Sequence, residues 1–126
     1  MKTSYYARVK PNKNAICISR SMPKWDTYKR YFPLAPGPWF KSVTQGEYVD
    51  KYFNEILLKL DPQKVWDELN ELAEGGEPIL LCYESPNKFC HRRLVAQWFE
   101  TSLNVKVPEL SKLEANLLNY RHEKKV

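Results

Sequence analysis

The stretch GGEPILLCYESP, residues 75–86, sets an unbroken apolar run from Ile79 to Tyr83 between two turn-forming ends, Gly-Gly-Glu-Pro and Ser-Pro. A strand with one wet face alternates polar and apolar residues, whereas a run without alternation fits a strand covered on both faces. Such a strand lies at the centre of its sheet. The expected fold is α/β: a single three-layer domain with a small, mostly parallel sheet flanked by helices.

Upstream, Gly46 to Leu60 places Val49, Tyr52, Phe53, Ile56, Leu57 and Leu60 at spacings of three and four, an amphipathic helix. Asp61-Pro62 supplies an N-cap and a favoured first helical residue, and Val65, Leu69 and Leu72 carry a second stripe until Gly75-Gly76 ends it. Ser4–Lys10 and Ala15–Ser19 read as two strands around the turn residues 11–14.

Downstream, Ser85 or Asn87 is expected to cap a helix with Leu94, Val95, Trp98 and Ser102 inward, followed by an edge strand at Val105–Val107. A strand-helix-strand unit of this kind implies a right-handed crossover. Leu110, Leu113, Leu117 and Tyr120 mark a last helix that covers the sheet or pairs with a second copy as a homodimer. The chain thus divides into an α/β domain at 1–107 and a C-terminal amphipathic helix with a charged tail at 108–126. With 126 residues it holds one core, not two.

Composition excludes several classes. A 43% hydrophobic chain with four tryptophans is no disordered segment. Its apolar runs are far shorter than the roughly 18 residues of a membrane span, and residues 1–13 lack the apolar middle of a secretory signal. The expected location is the cytoplasm, without membrane partners. Three cysteines, an odd and sparse set, read there as thiols. Residues 1–30 carry eight basic side chains against Asp26 alone, so the net +5 leaves −2 for the remainder. A front-loaded positive charge steers phosphates or polyanions, or is simply a solvated face. Residues 21–40 interleave four prolines with six aromatic rings, an ordered loop with one helical turn that serves either as a binding loop or as a lid on the core.

The candidate chemistry lies in LLCYESPNKFCHRR, residues 80–93. Ligands of parallel sheets gather beyond the carboxyl ends of strands, which is where Cys82 and Glu84 fall, with Phe89–Arg92 opening the next helix. A helix N-terminus favours an anion by about 0.3–1 kcal/mol, and a forked arginine adds roughly 1.5–3 kcal/mol. Cys90 beside His91 and an arginine is a place where a thiol pKa falls. Against a nucleophile, neighbours on a helix do not face each other. After five intervening residues, Cys82 meets Lys88 and Cys90 meets Ala96, where a tyrosine-phosphatase loop requires arginine. A metal is not expected: CxxC is missing, and adjacent Cys-His would strain to share one ion. A Cys82–Cys90 disulfide requires backbones within about 7 Å. His91 falls on the buried stripe, where a bonded structural histidine is the simplest reading. Glu84 either caps the helix or serves as an acid/base or ribose-hydroxyl partner.

The run LLCYE...FCHRRLVAQWF resembles family 488 of the domains of unknown function, small proteins of bacteria, archaea and their phages. TSYYARVK, ICISRSMPKW, LAPGPWF and LLKLDPQKVWDEL are similar to blocks of its short members. The resemblance implies an α/β domain whose shared residues gather into one pocket. It maps to Cys82, Glu84, Cys90, His91 and Arg92, and to Arg20, Pro23 and Trp25 from the Ser-Arg and Pro-x-Trp steps. The family has no established substrate.

Together these point to a nucleotide or nucleic-acid phosphate held by Arg20 and Arg92, with Trp25 or Trp39 stacking on a base and Cys82 and Glu84 lining the pocket. No cofactor is expected. One alternative is an enzyme acting on a nucleoside or nucleic acid through Cys90, His91 and Glu84. Another is a phage or host interaction protein in which the cluster is purely structural.

Overall fold

The computed structural model describes residues 1–24, 27–85 and 88–124. Trp25, an expected stacking residue, and Asn87, an expected cap, lie outside the described residues. Among the described residues no helix is long and apolar enough to cross a membrane.

Strands β1 (Lys2–Tyr5), β2 (Ala15–Cys17), β3 (Lys29–Arg30) and β4 (Ile79–Cys82) form a parallel sheet in the order β1-β4-β2-β3. β4 is central and every residue in it is buried, as its unbroken apolar sequence requires. Because side chains alternate across a strand, Ile16 and Leu80 enter the core of one face, while Ala15, Cys17, Ile79 and Leu81 enter the other.

The first face is covered by α1 (Gln45–Lys51), α2 (Pro62–Leu72) and α3 (His91–Leu103), and the second by α4 (Lys112–Lys124) and the ring of Tyr28. This is the small three-layer α/β arrangement read from residues 75–86. α1 opens on a capping box between Thr44 and Glu47, and Asp61 caps α2 by accepting from the Gln63 N–H at 3.0 Å. Left-handed backbone at Glu74 (φ 55°) and Gly75 (φ 84°) turns the chain from α2 toward β4.

The structure corrects several expectations. β1 begins and ends earlier than Ser4–Lys10, because the chain turns at Tyr6. The helix expected at 46–60 widens into a π turn at Tyr52–Ile56 and then a 3-10 turn at Leu57–Lys59. The extra residue per turn rotates the apolar stripe, so Tyr48, Tyr52 and Leu57 are buried and Phe53 stays 47% exposed. β3 is an edge strand inside the segment expected to be loop; the helical turn expected there is Phe32–Leu34.

α3 starts at His91 with an extended Cys90 as N-cap and no capping side chain, not at Ser85 or Asn87. Its inward arc is His91, Arg92, Val95, Ala96 and Phe99; Leu94 and Trp98 only flank it, and Ser102 is exposed. Val105–Val107 forms no strand. Instead Thr3 N–H donates to the Pro108 carbonyl at 3.0 Å and Leu110 N–H to the Thr3 carbonyl at 2.8 Å, one parallel bridge on the free edge of β1. α4 buries Ala115 against the sheet and leaves Leu113, Leu117 and Tyr120 exposed.

Candidate functional site

All four strands end on the same edge, so the segments leaving β2 and β4 enclose a hollow there with the entries to α1 and α3. The resulting cavity has a volume of about 350 Å³ and is lined by Ser19–Ser21, Cys82–Glu84 and Phe89–His91, with Phe40, Lys41 and Tyr48 on the α1 side. Phe89 and Tyr48 meet edge to face at 4.9 Å, which gives this wall an aromatic surface.

His91 is held by its ring nitrogens in different ways. Nε2 lies 2.8 Å from the Ile18 carbonyl. A carbonyl only accepts, so Nε2 carries the proton, and Nδ1 presents its lone pair 3.9 Å from Cys90 Sγ. Tyr52 packs edge-on against the imidazole at 5.4 Å. Burial lowers the His91 pKa to about 4; the Arg92 charge adds to this and the Ile18 hydrogen bond opposes it. The ring is therefore neutral at physiological pH.

This arrangement removes the objection that Cys90 and His91 point apart as helical neighbours. Cys90 has extended backbone (φ −150°, ψ 142°) and precedes the helix, and its sulfur lies 3.9 Å from His91 Nδ1. The expectation of three separate thiols is also corrected. The structure joins Cys82 and Cys90 through their sulfurs, across a Cα–Cα distance of 7.1 Å, and Cys17 stays a buried thiol.

Arg92 does not reach the cavity. It is 1% exposed, and its Nε and Nη2 fork onto Glu109 at 2.8 and 3.3 Å. Its Nη1 donates to the Glu84 carbonyl at 2.6 Å and to Cys82 Sγ at 3.1 Å. Buried, paired with Glu109 and absent from the cavity lining, it stands behind the site. Arg93 also turns away from the cavity, its Nη1 donating to Thr3 Oγ1 and the Val107 carbonyl.

Arg20 does line the cavity, anchored by Nη1 to the Pro36 carbonyl at 2.9 Å, so the expected convergence of Arg20 with Arg92 is not formed. Trp39 is also outside the lining: its Nε1 donates to Glu55 at 3.1 Å and its ring packs on Tyr48. Glu84 is exposed at the rim, its carboxylate free of the helix cap expected of it as one alternative. Phe40, Lys41, Tyr48 and Phe89 line the cavity without an expected ligand role, although Phe40 belongs to the aromatic loop and Phe89 to the entry of α3 read from the sequence. The T-x-x-E capping box at Thr44 marks where the chain enters α1, and was the available signal for the first three.

The model of a family described as "Active DUF488-N3 subclade" matches residues 18–103, more than half of the chain and every segment that lines the cavity. The chain belongs to family 488 of the domains of unknown function. Within family 488 terms, the matched span runs from Ile18, whose carbonyl holds His91, to Leu103, the last residue of α3. No curated protein and no solved structure matches the chain significantly.

Proposed function

We propose that this member of family 488 binds a nucleotide, or the phosphate-bearing end of a nucleic acid, in the cavity at the carboxyl edge of its sheet. The observation that carries the reading is the placement of Arg20 and Lys41 in one hollow with the aromatic rings of Phe40, Tyr48 and Phe89. A volume of about 350 Å³ lies in the range of small-molecule pockets, roughly 300–1,000 Å³. The cations supply phosphate contacts, the rings supply a face for a base, and the Glu84 carboxylate accepts from a ribose hydroxyl.

The test is a calorimetric titration with mononucleotides and short single-stranded oligonucleotides. Binding is expected for at least one, and Arg20→Ala is expected to weaken it by roughly 1.5–3 kcal/mol, the value of a charged hydrogen bond. A panel that gives no heat, and no shift in melting temperature, would sink the reading.

A second reading, an enzyme acting on a nucleoside or nucleic acid, is favoured by one contact: the His91 Nδ1 lone pair faces Cys90 Sγ. In the reduced protein the neutral imidazole would take the Cys90 proton only as the sulfur attacks, acting as a general base. Rapid alkylation of Cys90 by iodoacetamide near neutral pH, slowed at least about tenfold by His91→Gln, is the expected outcome. Equal rates in the two proteins would remove this reading.

A further inference from the structure

We propose that, when Cys82 and Cys90 are reduced, their sulfurs and His91 Nδ1 bind one zinc ion whose fourth position opens into the cavity. The inference concerns the inner wall of the site and stands whichever ligand occupies the space in front of it.

Three donors meet here. Cys82 Sγ, Cys90 Sγ and one nitrogen of His91 all lie within 4.8 Å of one another. Nδ1 is the nitrogen with a lone pair to give, and it stands 3.9 Å from Cys90 Sγ. Two donors on one tetrahedral zinc, with bonds of about 2.3 Å to sulfur and about 2.0 Å to nitrogen, are separated by roughly 3.6 Å. The observed spacing is close to that. The two cysteine Cα atoms are 7.1 Å apart, just past the usual disulfide range of about 4.4–6.8 Å. The same backbones accommodate two sulfurs set apart on a shared ion.

The surroundings suit the ion as well. His91 donates its other ring N–H to the Ile18 carbonyl, the outer contact that fixes tautomer and ring direction in zinc-bound histidines. Arg92 Nη1 donates to Cys82 Sγ at 3.1 Å and favours its thiolate form. The sequence objections fall on geometry: the donors come from the end of β4 and the entry to α3, so CxxC is not required, and the extended Cys90 meets His91 without strain. Three protein ligands with an open position form the pattern of catalytic rather than structural zinc, and the cavity supplies room for the fourth ligand. Loading is balanced: two thiols and one Zn²⁺ give the bound ion and two released protons, and the neutral imidazole gives its lone pair without losing a proton.

The full chain, reduced with a phosphine and freed of metal, is titrated with zinc chloride and in parallel with cobalt(II) chloride. One zinc per chain after gel filtration is expected by mass spectrometry, together with thiolate-to-cobalt charge-transfer absorption and the strong visible bands of a tetrahedral ion. Cys90→Ser, at a partly exposed position before the helix, is expected to weaken zinc binding by about 100-fold or more, beyond the loss of an outer-shell partner. Less than about a tenth of an equivalent of zinc on the reduced wild type, an octahedral cobalt spectrum, or wild-type affinity in Cys90→Ser would each overturn the proposal. The nucleotide reading is judged separately, by its dependence on Arg20.

Discussion

Arg92 donates to the sulfur of Cys82 at 3.1 Å from the same guanidinium that forks onto Glu109. One side chain thereby ties together the end of β4, the first turn of α3 and the segment that bridges to β1. Replacing Arg92 by Ala leaves the Glu109 carboxylate with the Thr3 hydroxyl as its remaining donor and no opposite charge. Breaking a buried pair costs about 3–5 kcal/mol, and Glu109, 25% exposed, can rehydrate in part, so the lower end is expected. Arg92→Lys keeps the charge but not the fork, and is expected to cost about 1–2 kcal/mol. Urea unfolding midpoints with an unchanged slope check both.

The His91 environment gives a pH dependence whose sign follows from burial. The folded pKa is about 4 against 6.5 for the ordinary imidazole, so between these values the unfolded chain binds the extra proton. Stability is whole above about pH 6.5 and is lost as pH falls toward 4, by about 3 kcal/mol in order of magnitude. His91→Gln is expected to flatten that slope while keeping an N–H donor for the Ile18 carbonyl. Chemical denaturation between pH 4 and pH 7 measures it; equal slopes in the two proteins would count against a buried neutral ring.

How far the sequence revealed this protein depends on whether the decisive contacts are local. ILLCY announces a central strand because burial on both faces leaves its mark on composition, and Asp61-Pro62 announces α2 because a cap acts within one turn. β3 left no such mark: Lys29 and Arg30 join the sheet by backbone bonds that any residues could make. The inward phase of α3 was hidden because Arg92 is buried by a partner 17 residues away. Trp39 read as a free stacking platform, yet Tyr48 and Glu55 occupy its ring and its N–H. The facing of Cys90 and His91 depends on a single residue lying before the helix rather than in it.

The docking of α4 rests partly on charge. Glu114 accepts from Lys2 Nζ at 2.5 Å, and this bond, ahead of the Ser111 contacts, lowers its pKa to about 2 from 4.5. A carboxylate with a depressed folded pKa stabilises above its unfolded value and loses that contribution as pH falls from about 4.5 toward 2. Glu114→Gln is expected to speed amide exchange in α4 at neutral pH while leaving α3 unchanged. Uniform exchange in both helices would show that Lys2 and Glu114 do not hold α4 in place.

Tyr52 separates packing from site chemistry. The π turn brings its ring fully inside, where it meets His91 at 5.4 Å, and its hydroxyl donates to the Leu34 carbonyl at 2.6 Å. Tyr52→Phe keeps the ring beside His91 and leaves only the Leu34 carbonyl unpaired, an expected loss of about 1–2 kcal/mol. Tyr52→Ala also removes the wall against which the imidazole rests, with an expected cost of about 3–5 kcal/mol. The two variants therefore differ in kind. In Tyr52→Phe the pH slope assigned to His91 should survive at reduced overall stability. In Tyr52→Ala water reaches the ring, its pKa rises toward 6.5, and the slope should shrink. Denaturation profiles of both variants across pH 4–7 decide this, and a slope equally small in both would mean that the Tyr52 ring does not keep His91 dry.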